Sequence, residues 1–235
     1  YRNDLKRPVC DGLFLVRKEG NYSPVIKNAI KQGAAELGQD LAEDAVHKLA
    51  TLLAELDRWN RRINLTAIRD PAEMVAGHIL DSLAVRPHLQ GPRVIDIGTG
   101  AGFPGLPLAI VEPDIDFVLL DSNGKKISFV QHMIGELGLS NAKAVKARAE
   151  GYQPGNGFDT VIARALASVP RLVELSSELV GEDGQLLALK GKYPAEELEA
   201  ITNLPEWVYS VTELHVPGLE AHARHVVALR RTRSK

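Results

Sequence analysis

The sequence predicts an α/β fold: a mostly parallel sheet with helices on both faces, an antiparallel last strand, and an N-terminal helical cap. Three observations predict it. From Arg93 onward, short β-branched runs alternate with helical patterns, and such alternation builds a parallel sheet covered on both faces. One of these runs, Val94 to Ile97, feeds a turn with four glycines in eight residues, Gly98-Thr99-Gly100-Ala101-Gly102-Phe103-Pro104-Gly105. Two helical patterns precede that turn with no strand between them.

The chain has 235 residues, enough for a sizeable core in one or two domains. Apolar content of 45% and charged content of 25% are those of an ordinary soluble globular protein. A net charge of -2 gives no global nucleic-acid signal, so any RNA or DNA contact has to use a local basic patch. Cys10 is the only cysteine, which excludes an intrachain disulfide and a Cys-based metal site. No metal is expected. No apolar run is long enough to cross a bilayer, and Leu13 to Val16 is far too short for a signal-peptide core. The expected location is the cytoplasm.

Residues 1–38 read as a peripheral N-terminal arm, basic at Arg2, Lys6, Arg7, Arg17 and Lys18. A short helix from Ser23 or Pro24 through Ala35 is expected within it, with Gly38 near its end. Residues 39–90 read as the helical cap. Asp40-Leu41-Ala42-Glu43 has the form of a capping box, and Val46, Leu49, Leu52, Leu53, Leu56, Trp59 and Ile63 recur behind it at helical spacing. Arg58, Arg61 and Arg62 at the end of this helix read as a solvated face. Asp70-Pro71-Ala72-Glu73 opens a second helix, expected to run to about Arg86. His78, Asp81 and Ser82 share one face of it, read from spacing alone as a local hydrogen-bonded network.

Residues 91–235 read as the sheet domain. Strands are expected at Val94–Ile97, Asp116–Asp121, Ala142–Ala147, Phe158–Ala163, Gln185–Lys190, Val208–Val216 and His225–Arg231. Helices are expected at Gly105–Val111, Ser122–Leu137, Ser168–Val180 and Pro194–Thr202. The last two strands, joined by a short Pro217-Gly218 loop, suit an antiparallel edge pair.

Open parallel sheets bind ligands outside the carboxyl ends of their strands. The candidate residues are therefore Asp96 to Gly105, Asp121, Arg148 to Glu150, Arg164 and Lys190. The glycines support two registers. Gly100-x-Gly102-x-x-Gly105 with Asp121 matches a dinucleotide fingerprint and keeps an NAD(P)-binding oxidoreductase open. Asp96-x-Gly98-x-Gly100-x-Gly102 resembles motif I of S-adenosylmethionine-dependent methyltransferases with a Rossmann-like (class I) sheet, whose last strand pair is also antiparallel.

The resemblance narrows with the ordered set Arg69-Asp70-Pro71, His78-Ile79-Leu80-Asp81-Ser82, Asp96 to Gly105, Leu120-Asp121-Ser122 with Lys125, Ala163-Arg164-Ala165 and Leu189-Lys190-Gly191. From about Asp40 to the C-terminus the chain resembles the bacterial 16S ribosomal RNA guanine-N7 methyltransferases, also called glucose-inhibited division protein B. The resemblance implies S-adenosylmethionine as cofactor, with 16S ribosomal RNA, in a 30S particle or assembly intermediate, as partner. It implies a cofactor site of Asp96, Gly98, Gly100, Gly102, Phe103, Asp121, Ala149, Glu150 and Arg164. Asp121 takes the ribose hydroxyls, Ala149-Glu150 border the adenine, and Phe103 lies near cofactor and incoming base. Arg164 stands beside the methyl-transfer site. Arg69, His78, Lys125 and Lys190 are candidate RNA contacts.

Attack by guanine N7 needs no general base, because N7 carries a lone pair and no proton. The reaction is mostly positioning, which casts Arg164 as a positioner. A carboxylate near the cationic product base would help. Cytosine-C5 enzymes need a cysteine nucleophile, and Cys10 lies in the arm. Amino-nitrogen enzymes commonly carry Asn/Asp-Pro-Pro-aromatic after the fourth strand, where this chain has Arg164-Ala165-Leu166-Ala167. RNA would meet Arg58, Arg61, Arg62, Arg69, Lys125, Lys126, Lys190, Lys192 and the tail Arg230, Arg231, Arg233 and Lys235, with Phe103 as a stacking partner for a splayed-out guanine. A non-catalytic RNA- or ribosome-binding module on the same fold is the remaining alternative.

Overall fold

The β-branched runs pair into one seven-stranded sheet of order β3-β2-β1-β4-β5-β7-β6. The computed structural model describes residues 24–232. The basic arm residues Arg2, Lys6, Arg7, Arg17 and Lys18, Cys10, Leu13 to Val16, Arg233 and Lys235 lie outside the described residues.

Strands β1 (Arg93–Ile97), β2 (Asp116–Asp121), β3 (Ala142–Lys146), β4 (Phe158–Arg164) and β5 (Val180–Lys190) run parallel. Strand β7 (His225–Arg231) is antiparallel to β5 and to the edge strand β6 (Trp207–Glu213). From β1 the chain winds outward to β2 and β3, then returns to β4 on the other side. The carboxyl ends of β1 and β4 therefore flank the switch-point crevice.

Side chains alternate across β1, so Ile95 and Ile97 join the core on one face. Val94 joins the other core, and Asp96 points the same way. Helices α7 (Val169–Ser176) and α8 (Ala195–Ile201) cover the Ile95 face. Helices α5 (Gly105–Val111) and α6 (Gly124–Glu136) and the cap cover the Val94 face.

The expected first helix is present as α1 (Pro24–Glu36). It is not peripheral: Ile26, Ile30 and Ala34 are buried in the same core as the rest of the cap. Gly38, at φ +72°, ends it, and the Gln39 and Gly38 amides donate to Ala34 O (2.8 Å) and Ala35 O (2.9 Å). Helix α2 (Glu43–Asn60) then starts two residues later than the capping box predicts. Ala42 is its N-cap and no side chain caps it. Leu41 is drawn into the core, 7% exposed, which holds Asp40 off the helix. At the other end, buried Asn60 accepts from the Leu65 (2.8 Å) and Thr66 (3.0 Å) amides. That turn stops the helix before Ile63 and aims residues 64–68 at the crevice.

Asp70 caps the second expected helix, accepting from the Ala72 (2.8 Å) and Glu73 (3.2 Å) amides. The helix is not uniform. A short α3 (Pro71–Met74) passes into a π-helical turn (Val75–Leu80), then α4 (Asp81–Leu83) and a 3₁₀ turn (Arg86–His88). The π turn carries His78 and ends against Asp81, and such turns gather at functional sites.

Two further expectations are corrected. Helix α7 ends at Ser176 rather than Val180, because Val180 pairs with Phe158 and begins β5 five residues early. An apolar run there fits either element locally, and long-range pairing decides it. The β6–β7 connection is the longer stretch 214–224, closed by Leu214 N–H donating to Arg224 O at 2.7 Å.

Candidate active site

The glycine turn is built from below by Asp96. Its carboxylate is fully buried; Oδ2 accepts from Thr99 Oγ1 at 2.6 Å and from Gly105 N–H at 3.0 Å. Burial pushes this carboxyl up to about 6, although both hydrogen bonds pull it down. The first amide of α5 is thus committed to a protein carboxylate and offers nothing to a pyrophosphate. The Gly100-x-Gly102-x-x-Gly105 register is not a phosphate cradle here.

Above the turn lies a cleft of about 530 Å³. Gly98 and Gly100, after β1, form its floor, and Asp121, Ala149, Glu150 and Leu166 line it as well. Gly98, at φ +68°, passes so close to Leu166 that a Cβ there would stand 2.8 Å from Leu166 Cδ1. Asp121 ends β2, and its carboxylate accepts from Gly100 N–H (3.0 Å) and Asn123 N–H (2.7 Å). A carboxylate has about four acceptor positions, so it retains capacity toward the cleft.

A second cleft of about 400 Å³ adjoins the first; Arg164, Ala165 and His78 line both. Arg164 ends β4. Its Nη1 lies 3.0 Å from Asp81 Oδ2, and Arg224 Nε lies 2.9 Å from Asp81 Oδ1. Asp81, 8% exposed, is the one carboxylate lining the second cleft. Two arginines on one carboxylate leave the cluster with a net positive charge. The His78 ring stacks on Phe103 with centroids 4.6 Å apart and planes at 22°. Its Nε2 is 2.9 Å from Thr66 Oγ1, while buried Nδ1 makes no hydrogen bond within the described residues. Burial, reinforced by the Arg164 charge, pulls His78 down to about 4, so the ring is neutral at pH 7.

Comparison with known proteins gives this geometry a family. The family described as rRNA small subunit methyltransferase G (GidB) matches residues 45–227. The ribosomal RNA small subunit methyltransferase G of Idiomarina loihiensis is 48% identical over 192 residues, covering 81% of this chain and 91% of that protein. That of Aeromonas salmonicida is 50% identical over 182 residues, covering 77% and 86%. The chain belongs to the GidB family. Its fold is also that of a SAM dependent methyltransferase from Aquifex aeolicus, with TM-score 0.53 and 19% identity over 76% of this chain and 97% of that one. A SAM-dependent O-methyltransferase from Thermotoga maritima shares it at TM-score 0.53 and 16% identity, over 78% and 72%.

In this GidB-family chain, Gly98, Gly100, Phe103, Asp121, Ala149, Glu150 and Arg164 line one cleft, as the sequence predicts. Asp96 and Gly102 do not reach it. Asp96 is beneath the turn, and Gly102, at φ +87°, packs against Leu106. Both shape the glycine turn from outside the cleft. Phe103 is not an open platform for a guanine: it is 3% exposed, and His78 covers its ring. His78 is likewise buried, at 6%, which removes it as a surface RNA contact. The local network read from spacing is only partly there. Ser82 Oγ donates to His78 O at 2.5 Å, but Asp81 takes its partners from distant Arg164 and Arg224.

Lys190 lines the second cleft with its ammonium engaged by the protein. Its ammonium lies 2.7 Å from Glu197 and donates to Ala167 O at 2.9 Å. Arg69 and Lys125 are exposed. Arg58 and Arg61 are paired with Glu55 and Asp57 on their own helix. Arg230 faces the opposite end of the sheet: the antiparallel register sets it beside Gln185, while His225 lies beside Lys190 at the cleft end. Sequence reasoning missed Arg224, because it sits 143 residues from Asp81 in an irregular connection. It also missed Thr66, which only the Asn60 turn brings to His78. Among the described residues no group of three or more His, Cys, Asp or Glu converges as a metal site.

Proposed function

We propose that this chain transfers a methyl group from S-adenosylmethionine to N7 of a guanine in 16S ribosomal RNA. The observation that carries the reading is the pair of adjoining clefts divided by Arg164 and Ala165, in a chain that belongs to a methyltransferase family. The reading divides the chain into a helical cap over residues 39–90, joined by α1, and a methyltransferase domain over 91–235.

The first cleft suits the cofactor. Its volume falls in the range of ligand sites, and its walls combine apolar surface with a few polar groups. Asp121 would take the ribose hydroxyls, the Gly98–Gly100 backbone the methionine part, and Ala149 and Glu150 the adenine. When bound, the sulfonium supplies an activated methyl group. The chain's own residues supply position. Arg164, oriented by Asp81, directs a base edge or phosphate from the second cleft. Neutral His78 lines the passage without adding a charge beside a cationic cofactor. Asp81 lowers the positive potential where the product base becomes cationic. No side chain needs to remove a proton, and His78 has no such task here.

The RNA would arrive over exposed Arg62, Arg69 and Lys125, with half-buried Lys126 beside them. The modest net charge supports a structured target, a 30S particle or assembly intermediate; the place proposed for it is the cytoplasm. No described helix is long and apolar enough to cross a membrane. An NAD(P) oxidoreductase is disfavoured by the commitment of Gly105 N–H to Asp96. The test supplies labelled S-adenosylmethionine and 30S particles from cells lacking the protein. Labelled N7-methylguanosine after digestion is expected. NADH binding without S-adenosylmethionine binding would overturn the reading, and firm cofactor binding with no transfer would favour the non-catalytic module.

A further inference from the structure

The loop 165–168, between β4 and α7, forms the partition between the two clefts, and little inside it explains its shape. Ala165 holds φ +52°, among the described residues the one non-glycine with positive φ. A left-handed alanine is intrinsically unfavourable, so surrounding contacts have to impose it. Ser168 occupies the N-cap of α7 yet gives no side-chain cap hydrogen bond. Glu197, reaching across from α8, does that work: its Oε2 accepts from Val169 N–H at 2.5 Å. The same oxygen lies 2.7 Å from Lys190 Nζ, and Lys190 in turn donates to Ala167 O at 2.9 Å. The Lys190 side chain is 15% exposed and that of Glu197 32%.

We propose that Lys190 and Glu197 form a latch that sets the Ala165–Leu166 partition, making Lys190 a positioning residue for methyl transfer. The inference rests on the proposed methyltransferase reading. Lys190 holds one end of the loop by its carbonyl, and Glu197 holds the helix that follows. At the other end Asp81 holds Arg164. Fixed at both ends, the loop keeps Leu166 over Gly98 and Arg164 between the clefts. Releasing the lysine end lets Ala165 relax to negative φ, which moves Arg164 and Leu166 together.

The test uses the full chain with Lys190→Met, Lys190→Arg and Glu197→Gln, on 30S particles lacking the modification. Wild-type activity is the control: if wild type transfers no methyl group, the function reading fails, whatever the latch does. With active wild type, Lys190→Met is expected to lower kcat by about 10- to 100-fold at saturating RNA and cofactor, consistent with a small misplacement of reacting groups. The salt dependence of RNA binding stays unchanged. Lys190→Arg restores most of the rate, and Glu197→Gln, which still accepts from Val169 N–H, lowers kcat less than Lys190→Met does. An unchanged kcat in Lys190→Met overturns the proposal. So does weaker RNA binding with a shallower salt slope and normal kcat, the signature of a phosphate contact. If Lys190→Met does not fold, Glu197→Gln decides alone: normal kcat overturns the latch and reduced kcat with normal RNA binding supports it.

Discussion

Arg164 and Asp81, 83 residues apart in sequence, meet at 3.0 Å where the two clefts join. The pair ties the end of β4 to the cap, so Arg164 is held in place only when sheet and cap are assembled. Removing Arg164 leaves Asp81 with Arg224 as a partner. Arg164→Ala is therefore expected to lower kcat by at least about 100-fold while the melting temperature moves by only a few degrees. A collapsed melting transition would make Arg164 structural.

Arg224 lines the second cleft and not the first. Arg224→Ala is expected to raise the RNA KM by about 5- to 10-fold and to leave the cofactor Kd unchanged, as calorimetry would show. A weakened cofactor Kd would assign Arg224 to the wrong cleft.

His78 makes stability depend on pH. Its folded value is about 4 against an ordinary 6.5, so the unfolded chain binds a proton that the folded chain refuses between those values. Stability from this group is therefore present above pH 6.5 and lost as pH falls toward 4, by about 3 kcal/mol. Asp96 acts in the opposite sense. Its carboxyl titrates near 6 rather than 3.8, so its contribution is lost as pH rises from 3.8 to 6. Chemical denaturation of His78→Gln from pH 7 to 4 is expected to show a smaller acid-side loss than wild type. An equal loss would mean that His78 is protonated in the folded protein.

Gly98 tests the cofactor floor. At φ +68° an alanine is strained, and its methyl group would crowd Leu166. Gly98→Ala is expected to weaken S-adenosylmethionine binding by at least about tenfold and to cost roughly 1–2 kcal/mol of stability. Gly138→Ala is the control. It has φ +61° and nothing within 4 Å of the added carbon. It should cost similar stability with an unchanged cofactor Kd. Equal Kd changes in both variants would deny the floor its role.

The sheet was legible because local period and turn residues agree along it: Asp116–Asp121 and His225–Arg231 begin and end where their patterns say. Elements failed where distant contacts decide. Asp40 has the form of an N-cap, yet burial of Leu41 delays α2, and Val180 leaves its helical pattern to pair with Phe158. The glycine turn and Asp121 were readable because strand, turn and acid follow in order. The Asp81–Arg224 contact and the His78–Phe103 stack leave no local signal, since each joins segments far apart in sequence. Lys190 and Glu197 are close in sequence, but their meeting depends on how the helix after β5 packs back on the sheet. Asp96 lies beneath the turn and outside the cleft lining, a placement not legible in the sequence, which cannot tell a residue above the turn from one beneath it.

The most direct measurement maps N7-methylguanosine in 16S ribosomal RNA from cells with and without the protein. The expected result is one guanine methylated at N7 only when the protein is present, with purified protein restoring it on isolated 30S particles and Arg164→Ala failing to do so. An identical N7-methylguanosine map in both cells would contradict the proposed function.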